Sequence, residues 1–146
     1  MSPLMRAILT SLIFATPALA WEATVGDICT LSHDTGAATI FLTYDPSAPL
    51  YTLTVTRKDQ VWAQSPWFAM RFEGRNPIEI ATPRHVLSDG GSALTVTDTG
   101  FGNVLDGLEY NQVAYAFTQD GIAEFPLNDA APQVRIFRTC AGAQLS

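Results

Sequence analysis

The sequence TDTGFGNVLDGLEYN, residues 97–111, is where the spacing of apolar residues along the chain changes. Before this stretch apolar residues alternate with polar ones. Within it Phe101, Leu105 and Leu108 recur at helical spacing. We therefore expect a mainly β chain that is interrupted here by one short helix.

The capping residues and the glycine content of this stretch determine how stable such a helix can be. Asp98 or Thr99 can cap its start by accepting a hydrogen bond from a free backbone N–H. Gly100, Gly102 and Gly107 lie in or beside it, and an interior glycine costs about 0.5–1 kcal/mol relative to alanine. We expect the helix to depend on core packing, and we interpret the glycines as close backbone packing before any ligand contact.

The rest of the chain has the pattern of short strands joined by turns. The segment YTLTVT places Tyr51, Leu53 and Val55 on one face and three threonines on the other. A strand with one buried face and one solvent-exposed face favours antiparallel pairing. The dipeptide Asp120-Gly121 predicts a β-hairpin. The sequence predicts a mainly β, β-rich α+β fold: a small antiparallel β-sandwich or barrel with two short helices.

The last segment of the chain fits either a helix or an edge strand. A helix with Pro132 in its first turn would carry Val134, Phe137 and Cys140 at helical spacing. Residues 134–139 also alternate, as an edge strand would. We favour the helix.

Residues 1–20 have the features of a secretory signal peptide. Arg6 supplies the charged start, an apolar run follows, and Ala18 and Ala20 fit a signal-peptidase site. The apolar run is shorter than the roughly 20 residues of a membrane span. We expect a periplasmic or secreted protein with no membrane span after cleavage, and one β-rich domain over residues 21–146.

The cysteine count and the charge narrow the function further. Cys29 and Cys140 are the two cysteines, so export favours a disulfide between them. Removing residues 1–20 takes away Arg6 and no acidic residue, and the net charge of −6 becomes −7. An acidic chain with scattered Lys and Arg repels phosphate backbones, so we expect no nucleic-acid partner.

Two patterns raise the question of catalysis. Asp34 and Asp98 each begin an Asp-Thr-Gly triplet, the signature of pepsin-like proteases, in which two carboxylates share a proton. The chain is too short for the two lobes of such an enzyme. A hydrolase that uses His85 is another alternative, but the sequence has no Gly-x-Ser-x-Gly, HExxH, paired CxxC or Walker motif. We predict no catalytic residue, metal or cofactor.

Four residues are candidates for ligand binding: Trp62, Trp67, Arg84 and His85. Flat aromatic rings stack well on ligands, and Trp62 is the better aromatic candidate because polar segments flank it. We expect a non-enzymatic role, binding a protein, an envelope component or a small ligand. The alternatives are a small hydrolase and a structural envelope protein.

Several motifs are spread along the predicted mature chain: Trp21, Gly26-x-Ile28-Cys29, Tyr44-Asp45-Pro46, residues 98–111 and Phe137-x-x-Cys140. Taken together, they resemble a group of small uncharacterised secreted proteins of alphaproteobacteria. The resemblance spans the mature chain and implies no established activity. Members sometimes carry an automatic label as a component of excinuclease ABC, a DNA-repair ATPase, which we judge a misannotation for a short, acidic, exported chain without a P-loop. A weaker similarity links Gly100-Phe101, Val104-Leu105 and Leu108 to the invasion-associated locus B family of periplasmic β-sandwich proteins.

Overall fold

A computed structural model describes residues 20–142, so residues 1–19 of the predicted signal peptide lie outside the described part. Within it the chain forms ten strands, two α-helices and one 3₁₀ turn at Asp89–Gly91. The strands are β1 (Glu22–Thr24), β2 (Cys29–Asp34), β3 (Ala38–Asp45), β4 (Leu50–Arg57), β5 (Phe68–Gly74), β6 (Ile78–Thr82), β7 (Val86–Ser88), β8 (Ala93–Asp98), β9 (Asn111–Phe117) and β10 (Ile122–Pro126). The helices are α1 (Gly102–Tyr110) and α2 (Ala130–Gly142).

The strands form two antiparallel sheets that share one hydrophobic core. One sheet has the order β1-β2-β3-β4-β8-β7 and the other β10-β9-β5-β6. Buried side chains from both sheets and both helices belong to the same core cluster. The predicted mainly β fold with antiparallel pairing and two short helices is therefore confirmed, as two sheets rather than one closed barrel.

Strand alternation explains which faces are buried. Tyr51, Leu53 and Val55 of β4 are buried, and the threonines between them are half-buried on the outer face. Thr54 pairs there with Thr95, whose hydroxyl oxygen lies 2.9 Å away. The predicted hairpin joins β9 to β10, with the N–H of Thr118 donating to the carbonyl of Gly121.

Helix α1 confirms the change of period but not the predicted cap. The residue at its N-cap is Phe101, and no side chain there accepts a hydrogen bond from the first turn. Asp98 instead accepts the N–H of Thr99 at 2.7 Å, which is a local turn before the helix. The cap prediction was wrong because Phe101, not Asp98 or Thr99, directly precedes the first helical residue, and its ring enters the core.

The glycines of residues 97–111 serve two different purposes. A Cβ atom on Gly107 would overlap the ring of Phe72 on β5, so the helix packs directly against the sheet. At Gly100 and Gly102 a Cβ atom would meet nothing within 4 Å. The packing interpretation is confirmed for Gly107 and wrong for the other two.

Helix α2 resolves the ambiguity over residues 134–139 in favour of a helix. It lies against α1, where Arg138 contacts Asp106 at 2.6 Å and Glu109 at 3.3 Å. It also covers β1, whose Ala23 N–H donates to the side chain of Gln133 at 2.9 Å.

The predicted disulfide is present between Cys29 on β2 and Cys140 on α2. The two residues are 111 positions apart in sequence, and their Cα atoms lie 6.2 Å apart. Both side chains are buried. The bond therefore fastens the last helix to the first strands from inside the core.

We predict that Gly107→Ala lowers the free energy of unfolding by about 1–3 kcal/mol, the usual cost of overpacking a core. Gly102→Ala is the matched control, since its new methyl group meets open space. Urea denaturation followed by circular dichroism measures both variants. Equal midpoints for the two variants would show that α1 does not depend on close contact with Phe72.

We also predict that Cys29→Ala/Cys140→Ala lowers the free energy of unfolding by about 2–5 kcal/mol, because the closed loop no longer restricts the unfolded chain. The measurement is urea denaturation of the variant and of wild type with and without reductant. A variant with the midpoint of oxidised wild type would contradict the stapling role of the bond.

Candidate functional site

A groove of about 440 Å³ opens between the two sheets beside the start of α1. It exists because β7 is short: its pairing with β8 covers Ala93 to Thr95 and stops before Val96. The last residues of β8 therefore form a free edge on that side. Across the groove lies β6, the outermost strand of the other sheet.

Apolar side chains make up the floor and walls of this groove. Its floor is buried, and its walls carry Ile80 of β6 and Val96 of β8, which are half-buried. Gly100 and Gly102 complete one wall without side chains, so the space beside them stays open. The floor residues are Leu53, Phe68, Met70, Phe101 and Val104.

The rim of the groove is polar and carries one cation and one carboxylate. The backbone N–H of Arg84 donates to the hydroxyl oxygen of Thr82 at 3.1 Å, which fixes the chain after β6. The Arg84 side chain is exposed and forms no ion pair with any carboxylate of residues 20–142. Asp98 is already engaged by the N–H and hydroxyl of Thr99.

The position of Trp62 does not favour the ligand-binding role predicted for it. Its side chain is 2% exposed, and its Nε1 donates to the carbonyl of Val55 at 3.1 Å. The guanidinium of Arg57 lies over the ring, 5.1 Å from its centroid, and a Cβ on Gly121 would touch its edge. The polar segments around Trp62 suggested exposure, but the ring turns inward and fills the core.

Trp67 and His85 also lie outside the groove. Trp67 packs edge-on against Phe117 of β9, with ring centroids 5.7 Å apart. His85 is half-buried in the crossing from β6 to β7, and its Nε2 lies 3.0 Å from the carbonyl oxygen of Ser65. Of the four predicted ligand-binding residues, Arg84 is therefore the one that lines the groove.

Asp34 and Asp98 do not converge. The strand register puts Asp34 level with Ala93 of β8, whereas Asp98 lies at the opposite end of that strand. The strand rise of about 3.3 Å per residue and strand spacing of about 4.8 Å separate the two by roughly 20 Å. They cannot share a proton, and Asp34 is paired with Lys58 at 2.6 Å.

The described residues were compared with the requirements of a metal site, a membrane span and a second ligand site. No group of three or more His, Cys, Asp or Glu side chains within residues 20–142 could hold a metal ion. In the same region neither helix has the length and apolar character needed to cross a bilayer. A second cavity, of about 630 Å³, lies beside β10, but its cation Arg57 already bonds Val61 and Gln60.

Comparison of the chain with protein-family models, with curated proteins and with solved structures finds no match.

The Lys58 pair leads to a prediction for Asp34. The hydrogen bond from Lys58, and then that from the N–H of Gly36, lowers the pKa of Asp34 below its ordinary value. A lowered pKa stabilises the fold above the pKa of the unfolded chain, and that stabilisation is lost as pH falls through the folded pKa. We predict that Lys58→Gln raises the pKa of Asp34, as measured by a carboxyl NMR titration.

Asp45 is the internal control for this titration. Its pKa is lowered by the hydroxyl and backbone N–H of Ser47, which Lys58→Gln leaves in place. A shift of both carboxyls together, or of neither, would mean that the Lys58 contact is not what holds the Asp34 pKa down.

Proposed function

We propose that the protein is an exported, non-enzymatic binding protein that takes a small, largely apolar ligand in the groove between β6 and β8. The groove itself is the observation that supports the proposal. Its volume of about 440 Å³ lies in the range of about 300–1,000 Å³ typical of small-molecule sites. An apolar interior with few polar rim groups is also typical of such sites.

Gly100 and Gly102 strengthen this interpretation of the groove. Neither glycine has a positive φ angle, and neither is pressed by a neighbouring atom. Nothing in the described chain therefore requires the absence of a side chain at these two positions. A ligand that approaches the backbone there would require it.

Export is supported by the sequence of residues 1–20 and by the disulfide. A bond between Cys29 and Cys140 forms and persists in oxidising compartments. The similarity to small secreted alphaproteobacterial proteins agrees with a periplasmic or secreted location. A hydrolytic role is less favoured, because Asp34 and Asp98 lie apart and His85 is engaged by a backbone carbonyl.

The test is binding of the neutral apolar probe N-phenyl-1-naphthylamine, followed by its fluorescence. We predict saturable binding to the wild-type chain and at least about tenfold weaker binding to Gly100→Leu/Gly102→Leu, whose side chains fill the groove. Gly26→Leu is the matched control, since Gly26 is an exposed glycine outside the groove with an ordinary φ.

The proposal fails if the probe does not bind wild type, or if filling the groove leaves its affinity unchanged. Circular dichroism and the urea midpoint of each variant show whether it is folded as wild type is.

A further inference from the structure

We propose that the groove selects a singly charged anionic amphiphile, with its apolar body between Ile80 and Val96 and its head group against Arg84. This inference rests on the proposed function and adds the chemical class of the ligand. The head group can be a carboxylate or a phosphate diester, which both carry one negative charge and share the chemistry that a guanidinium recognises.

Arg84 differs from most cations of the described chain because it has no partner. In residues 20–142 the other cations, Arg75 excepted, are each engaged by a carboxylate or, for Arg57, by a backbone carbonyl and an indole ring. Arg75 lies in the turn between β5 and β6, outside the groove. Arg84 is thus the unpaired cation that borders the apolar space. Those engaged cations are Arg57, Lys58, Arg71, Arg135 and Arg138.

The surroundings of Arg84 can complete a head-group site. Thr82 accepts the backbone N–H of Arg84, so its hydroxyl proton remains available to donate to an anion. Asp98 stands on the β8 side of the rim, where its charge repels an anion. A head group is therefore directed to the β6 side, and a second negative charge on it is disfavoured.

The apolar part of the ligand can extend along the groove away from Arg84. Ile80 and Val96 stand on facing strands, and the floor beneath them is apolar. Beside the floor, Gly100 and Gly102 leave the α1 wall open. Burial of the ligand's methylene groups supplies affinity, while Arg84 supplies the preference for charge.

The test is displacement of bound N-phenyl-1-naphthylamine by dodecanoate, by the singly charged diester dodecyl methyl phosphate and by dodecan-1-ol, each below its micelle concentration. We expect at least one of the two anions to displace the probe at about tenfold lower concentration than the alcohol, because a charge-assisted hydrogen bond to Arg84 adds to the same apolar contact. Which anion is preferred distinguishes a carboxylate from a phosphate source. The preference should shrink as salt screens the exposed guanidinium.

Arg84→Gln should remove the preference for the anions, so that dodecan-1-ol and both anions displace the probe at similar concentrations. Arg84→Lys should keep part of it, because the charge remains without the two-pronged geometry. Arg75→Gln is the matched control and should behave as wild type.

The outcomes separate the two proposals. Three results would overturn the ligand class and leave the groove as a binding site. They are equal displacement by the alcohol and the anions, an anion preference that survives Arg84→Gln, and a bound probe that no amphiphile displaces. Failure of the probe to bind at all would overturn the proposed function itself.

Discussion

The contact between Gly107 of α1 and the ring of Phe72 on β5 is the constraint on which the arrangement of the molecule depends. Without a side chain at this position, the helix comes close to the four-stranded sheet, where Ala114 and Ala116 on β9 are also small and buried. The start of α1 follows directly from β8 of the six-stranded sheet. The helix packs on β5, β6 and β9 of the four-stranded sheet and on α2, so it connects the six-stranded sheet to the face of the other sheet at this end.

The two open sides of the sheet pair differ in which elements cover them. On one side α2 covers β1, is tied to β2 by the disulfide, and is paired with α1 through Arg138. On the other side the three-residue β7 leaves the end of β8 uncovered. Pro77 and Pro83 flank β6 there, which discourages the addition of another strand. That side is therefore left with a groove whose form suits a small molecule better than a peptide strand.

Much of this fold could be predicted from the sequence because its signals are local. The alternation in β4, the hairpin signal at Asp120-Gly121 and the period of α1 each lie within a few residues, and all three are confirmed. The short strand β7 was not predicted, because three residues carry no period. The groove depends on where β7 stops pairing, so Arg84 could be named from the sequence but its partners in the site could not. The burial of Trp62 could not be predicted for the same reason, since its flanking residues do not show which way the ring turns.

The glycines show where local reasoning reaches its limit. A position can require glycine because a neighbouring core residue fills the space of a side chain, or because a bound ligand would fill it. The sequence alone does not distinguish these two cases. Gly107 meets the first requirement, because Phe72 fills its space. Gly102 begins a helix, where a residue with a side chain would stabilise the first turn more than glycine does, yet it faces open space. For Gly102, the ligand that we propose for the groove would supply the contact that the described chain does not.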